Sequence, residues 1–310
     1  MNKLKKYFTM IFFMSFIYLL FKYNHIVNSS VISATSMFLN KVFPSLFIMF
    51  VLNDIIINTR ILHDIFMIFS SLFNKIFHTS GLAIEAFALS LLSGTPSSVI
   101  IIKELLKNND ITSDDANKLI TFTYFSNPLF LYNILTATFN TYTTIKIILI
   151  HYITNIFIGI IFRGNKPTNM TKINKQKYKQ NIFIILPDSI KKSMNTLLVI
   201  LGTITFYLII SNITIHFINS NNFYTIIFKG VLEITQALNE LKYINYLSII
   251  KEITALAIIS FGGLSIHTQV LTIIDDTNIS YKNFLIGRIL HVILATQTYF
   301  LFYYCSLYIN

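Results

Sequence analysis

Apolar runs that approach the roughly 20 residues a helix needs to cross a bilayer recur along this 310-residue chain. Ile, Leu and Phe fill them, and few charges interrupt them. Only 12% of the residues are charged, where a soluble globular chain carries about 25%. Mean hydropathy is +0.63. The length would allow two soluble domains. With the apolar residues clustered as they are, the chain reads as one membrane domain and not as a soluble enzyme.

Net charge is +11, from 24 Lys and Arg against 13 Asp and Glu. A soluble chain with that balance would suggest nucleic acid as partner. In a membrane chain, basic residues gather in cytoplasmic loops and near the inner headgroups, so the expected partner is the lipid bilayer and no nucleic acid. The single cysteine, Cys305, excludes an internal disulfide and any cysteine-based metal cluster. The metalloprotease, phosphate-loop and nucleophile-elbow signatures are absent, so no catalytic residue, cofactor or metal is expected. Asp275 and Asp276 stand beside Thr277 and Asn278 and read as a turn, since a divalent ion wants more oxygen ligands than this run supplies.

The chain opens with Lys3, Lys5 and Lys6 ahead of an apolar stretch, Tyr7 to Phe21. That pattern suits a secretory signal peptide or an uncleaved signal anchor. The weak small-residue signal in Asn24–Ser30 and the spans beyond it favour an anchor over residues 1–30. Ser33–Ile57 is a second span, with Pro44 inside it, and Ile61–Phe77 is an amphipathic segment for the membrane face. Leu82–Leu92 and Ser97–Lys107 are each too short to cross, and Ser93-Gly94-Thr95-Pro96 separates them; a re-entrant hairpin is expected. Thr112 to Asp115 opens a helix with acids at its positive end. That helix meets Asn127-Pro128 and continues to Phe139, before a span over Ile145–Phe162.

Arg163–Gln180 carries six basic residues and no acid, and by the positive-inside rule it is cytoplasmic. The second half reads as Ile182–Ile213, Phe223–Leu241, Tyr246–Ser260, a break at Phe261-Gly262-Gly263, Leu264–Ile274 and a last span, Phe284–Tyr304. The organisation is therefore an anchor (1–30), a first membrane half (31–162), a basic loop (163–180) and a second membrane half (181–310).

The halves resemble each other. Gly94 lies 17 residues before Ile111, and Gly262 lies 17 residues before Ile279, an offset of 168. Each glycine stands between two short helices that lead into a polar cap and a long span. The expected fold is an all-α polytopic membrane protein of two degenerate, inverted half-repeats, each with a broken or re-entrant helical hairpin. Repeated halves with broken helices point to transporter architecture with a midplane site. The competing reading is a pair of simple kinks packed against neighbours.

Ser93-Gly94-Thr95-Pro96, Asp110-Ile111-Thr112, Asn127-Pro128-Leu129-Phe130, Gly230-x-x-Glu233-x-Thr235 and above all Phe261-Gly262-Gly263-Leu264-Ser265-Ile266-His267-x-Gln269 resemble the YlbJ-like sporulation integral membrane proteins. Those belong to the wider nucleoside-recognition, or Gate, domain group. The resemblance runs from about Pro44 to His291. Thr95 and Ser98 depart from it, where the family often has an aromatic residue and a glycine. It implies a transporter-like fold acting in spore cortex formation or maturation on a small polar solute. A non-transporting scaffold for spore assembly, as a homo-oligomer or with other membrane partners, is the alternative.

The candidate binding residues follow. Glu233 is an acid in an apolar stretch, which marks function by default, or else an interfacial acid paired with Lys229. Thr235 and Gln236 flank it. Gln269 both donates and accepts, and His267 can carry a proton or pack with a backbone partner. Ser93, Gly94, Thr95, Pro96, Asn127, Gly262, Gly263 and Ser265 surround the breaks, where hydroxyls cap free backbone groups or line a pocket. Glu85 is a second acid within an apolar helix.

Overall fold

Side chains cap the starts of some of the helices in this chain, at Thr112, Asn127, Asn140, Asn222 and Glu233. The computed structural model describes residues 3–164, 181–218 and 222–309. Residues 165–180, nearly all of the basic segment 163–180, lie outside the described residues.

The first half holds α1 (Lys3–Lys22), α2 (Asn24–Met37), a π-helical turn (Phe38–Val42) and α3 (Phe43–Thr59). The short α4 (His63–Ile68) and α5 (Ser70–Phe77) follow, then α6 (Ala83–Ser93), α7 (Ser97–Lys107), α8 (Ser113–Phe122), α9 (Pro128–Leu135) and α10 (Thr141–Ile161). The second half holds α11 (Ile182–Ile218), α12 (Phe223–Leu232), α13 (Ile234–Glu240), α14 (Ser248–Phe261), α15 (Gly263–Ile274) and α16 (Tyr281–Ile309). Thr112 opens α8 with a capping box: its hydroxyl accepts from the Asp115 amide and the Asp115 carboxylate accepts from the Thr112 amide. Asn140 caps α10 and Asn222 caps α12 in the same sense.

Among the described residues, five helices are long and apolar enough to cross a bilayer: Asn24–Thr59, Thr141–Ile161, Ile182–Ile218, Ser248–Ile274 and Tyr281–Cys305. Large apolar side chains point outward from them, Phe183, Phe206 and Phe302 among others, as a lipid-facing surface requires. The chain is a multi-pass membrane protein.

Ion pairs and ring contacts sort the elements between two ends of the molecule. At one end Arg60 bonds both Glu85, at the start of α6, and Asp110, just past α7. Lys107 pairs with Asp276 beyond α15, and Lys192 in α11 pairs with Asp54 in α3. At the other end Phe223, which opens α12, stacks 5.0 Å from Tyr246, and Lys41 bonds Asn239 in α13. The hairpin α6–α7 therefore enters from the first end and the hairpin α12–α13 from the second. Phe16 meets Phe206 and Tyr23 meets His216, so α1 runs alongside α11 in the same direction.

The second hairpin differs from the sequence expectation. Phe223–Leu241, expected as one helix, is broken at Glu233, whose backbone is extended (φ −151°, ψ 125°), and the two pieces fold against each other. At Gly262 (φ 93°, ψ −5°) the chain only bends, and α14 and α15 stay together as one 27-residue apolar span. The two glycines related by the 168-residue offset thus sit in different kinds of element: Gly94 at a hairpin tip, Gly262 in a bent span.

Packing follows a regular exchange. Helix α3 packs on α11 and α10 on α16; α8 packs on α16 as α14 packs on α10; α7 meets α15 as α13 meets α9. Close approach is needed where α16 crosses the end of α8: a Cβ on Gly287 would stand 2.3 Å from the Thr121 carbonyl oxygen. Gly202 on α11 has nothing within 4 Å. Gly287→Ala is therefore expected to lower the melting temperature of the detergent-purified protein by roughly 5–10 °C, as overpacking does. Gly202→Ala should leave it unchanged or slightly raised, and equal behaviour of the two would contradict this packing.

Candidate functional site

Broken helices leave amides and carbonyls without intrahelical partners, and in lipid those groups must be satisfied by the protein. The first hairpin tip shows how. Gly94 (φ 73°) lies flat on the Phe125–Asn127 backbone, and any Cβ there would stand 2.4 Å from the Asn127 amide nitrogen. The Thr95 amide donates to the Phe125 carbonyl (2.8 Å). Asn127 caps α9 by accepting from the Phe130 amide (3.0 Å), and its own amide donates to the carbonyls of Leu92 (3.0 Å) and Ser45 (3.3 Å). The Tyr152 hydroxyl bridges the carbonyls of Ser126 (2.8 Å) and Leu91 (3.0 Å). One hairpin tip and one helix break are so locked together.

The second tip is built on Glu233, 2% exposed. Its carboxylate accepts from the Gln236 amide (2.9 Å) and the Thr235 hydroxyl (2.8 Å), capping the start of α13. Lys229, the partner expected for an interfacial acid, bonds Glu240 instead. Negative charge at a helix N-terminus is favoured, which gives this buried acid a place to sit.

The two tips and the breaks of α8–α9 and α14–α15 face one cavity of about 50 Å³, room for a few water molecules. Thr95, Pro96, Ser126, Asn127, Glu233, Thr235, Ser265 and Gln269 supply its polar groups, and Leu46, Phe130, Ile200 and Ile204 are among its apolar walls. The first turns of α7, α9 and α15 open onto it, so their partial positive charge faces inward. Gln269 donates to the Thr203 hydroxyl (2.7 Å), while its carbonyl oxygen, buried, has no partner.

Two neighbouring cavities share lining residues in series with this one. Pro96, Ile200 and Gln269 also line a second cavity of about 200 Å³ with Asn195 and Thr196. Asn195 in turn lines an outer cavity of about 250 Å³ with Asp54, Asp188, Lys191 and Lys192. There Lys192 bridges Asp54 (3.0 Å) and Glu104 (3.7 Å).

Of the candidates read from sequence, Thr95, Pro96, Asn127, Glu233, Thr235, Ser265 and Gln269 line the cavity. Gly94, Gly262 and Gly263 shape the backbone around it; all three have positive φ. Ser93 bonds the Leu89 carbonyl of its own helix. Gln236 points away, to Asn212 and Glu240. His267 also points away: one ring nitrogen faces the Phe261 carbonyl (3.1 Å), so it carries the proton, and the other accepts from the Tyr281 hydroxyl (2.9 Å). Glu85 belongs to the Arg60 clasp, with His63 at 2.7 Å. Ser126 was not among the sequence candidates, though its place beside Asn127-Pro128 was the signal that could have found it.

The chain is similar to a sporulation membrane protein. It is 25% identical over 301 residues to the sporulation integral membrane protein YlbJ of Bacillus subtilis (strain 168), covering 84% of this chain and 73% of that one. No family model and no solved structure matches the chain.

The Asn127 geometry makes a sharp prediction. Asn127→Ala removes the cap and strands two buried carbonyls, so it should destabilise by about 2–4 kcal/mol. Asn127→Asp keeps the cap yet sets a carboxylate against those carbonyls, so it should melt lower still. If the aspartate variant melts above the alanine one, Asn127 serves only as a cap.

Proposed function

We propose that this chain is a sporulation membrane protein that binds a small polar solute in the central cavity and moves it by alternating access. The observation that carries the reading is the convergence of two oppositely entering hairpin tips and two helix breaks on one polar cavity. Half-helix N-termini at mid-depth are the element with which transporters hold anionic or acceptor groups. Glu233 and the free oxygen of Gln269 add acceptors. A solute with an acceptor at one end and a donor at the other fits that set.

The architecture supports an inverted repeat. Exchanging α3, α6, α7, α8, α9 and α10 for α11, α12, α13, α14, α15 and α16 maps the helix contacts of one half onto those of the other, except that α3 packs on α7 without a matching contact of α11 with α13. With the hairpins re-entrant, α3, α8–α9 and α10 make three crossings, an odd number, which turns the second half over. This is the Gate-type organisation implied by the sequence motifs. The similarity to YlbJ supports the sporulation role. Arg60, Lys103, Lys107, Lys118, Arg163 and Lys192 gather at the end from which α6–α7 enters; by the positive-inside rule that end is cytoplasmic, and the outer cavity opens there.

The test is complementation of a Bacillus subtilis strain lacking YlbJ, counting heat-resistant spores at matched membrane levels. Wild type is expected to restore the count. Glu233→Gln keeps a capping acceptor without the charge, and Gln269→Ala empties one cavity wall; each should cut the count by about tenfold, the effect of one lost buried polar contact on binding. Ser93→Ala, outside the cavity, should not. If the cavity variants rescue fully, the cavity is not a working site and the scaffold role takes its place.

A further inference from the structure

Arg288, near the start of α16, is the largest fully buried side chain, and among the described residues no carboxylate lies within ion-pair distance of it. A bare buried cation is expensive unless oxygen ligands replace its water. Its ligands come from the helix breaks. One guanidinium nitrogen donates to the Thr121 carbonyl (2.9 Å) and the Asn155 side-chain oxygen (3.0 Å). The other reaches the Ser260 carbonyl (3.5 Å) and the His291 Nδ1 (2.9 Å). The Tyr124 ring lies under the charge, 4.1 Å away.

Thr121 belongs to the last turn of α8 and Ser260 to the last turn of α14. Both carry the orphan carbonyls and partial negative charge of a helix C-terminus. The surrounding groups are oriented to serve the cation. Asn155 donates its amide to the Tyr124 carbonyl, which turns its oxygen toward Arg288. The His291 Nε2 donates to the His151 carbonyl (3.0 Å), which leaves Nδ1 as an acceptor. Two helix C-termini, an amide oxygen, an imidazole nitrogen and a ring face surround the two terminal guanidinium nitrogens, while the buried Nε has no partner.

We propose that Arg288 is a tethered cation, filling from within the chain the site that two half-helix C-termini form, so that no metal ion is needed there. In transporters with broken helices, half-helix C-termini and unwound carbonyls hold the coupling cation. Here that position is occupied by a side chain which cannot leave. The inference does not rest on the solute reading, because its readout is the melting temperature of the folded protein.

Full-length protein in detergent is compared with Arg288→Lys, Arg288→Gln and Arg288→Ala in sodium, potassium and choline chloride. Wild type should melt alike in all three salts. Arg288→Lys should stay near wild type, and Arg288→Gln should melt lower by roughly 10 °C, as when a buried charge site loses its partner. Millimolar guanidinium should restore part of the stability of Arg288→Ala, and millimolar urea, of similar shape but neutral, should not. Sodium-dependent stabilisation of wild type would overturn the proposal. So would equal melting of the lysine and glutamine variants, loss of both together, or rescue by urea as good as by guanidinium. If Arg288→Ala does not accumulate, the lysine-to-glutamine comparison decides.

Discussion

The backbone groups freed where helices break inside the membrane domain are the constraint on which the rest of this structure depends. Each carries the desolvation cost of an unpaired polar group unless the protein supplies a partner. The partners are mostly side chains from elsewhere in sequence: Asn127 for the Leu92 and Ser45 carbonyls, Tyr152 for Leu91 and Ser126, His267 for Phe261, Arg288 for Thr121 and Ser260. Every such bond also ties one element to another. The breaks, which would weaken an isolated helix, become the joints that fix how the helices sit.

Polarity is sorted by this arrangement. The helix starts at the breaks, on α7, α9 and α15, face the central cavity, whereas the helix ends of α8 and α14 face Arg288. Positive dipole ends line the central cavity, and negative ends are met by a cation of the chain itself. Glu233 belongs to both schemes. It caps α13 as a structural acceptor and presents a carboxylate at the cavity wall.

How much of this was legible depended on the residue at each break. Gly94 with Pro96, and Asn127 with Pro128, announce themselves, because glycine reaches positive φ and proline removes a donor. Gly262 and Gly263 were equally visible, but the sequence could not tell a bend from a reversal, and the matching 17-residue spacings encouraged pairing Gly94 with Gly262. The true second tip has neither glycine nor proline at its break: Glu233 adopts an extended conformation open to any residue. Its signal was energetic, an acid in an apolar run. Arg288 gives the same signal within α16, but a single base in a long span reads as an ordinary cytoplasmic residue until its carbonyl ligands come together in space.

The two hairpins are anchored differently. Arg60 joins the end of α3 to both limbs of the α6–α7 hairpin through two buried carboxylates, a clasp that is strongly unfavourable to break. The α12–α13 hairpin is held by Lys229 to Glu240 within itself, and by Gln236 to Asn212 and Lys41 to Asn239 across to α11 and the π-helical turn. Only one bond in that set is an ion pair, and it joins α12 to α13 within the hairpin. The second hairpin is therefore tied to its neighbours by hydrogen bonds, a neutral one from Gln236 to Asn212 and a stronger, charge-assisted one from Lys41 to Asn239. The outer cavity at the Arg60 end is lined by Asp54 and Lys192. Two buried ion pairs thus hold the first hairpin to the end of α3, whereas among the described residues no ion pair holds the second hairpin to a neighbouring element.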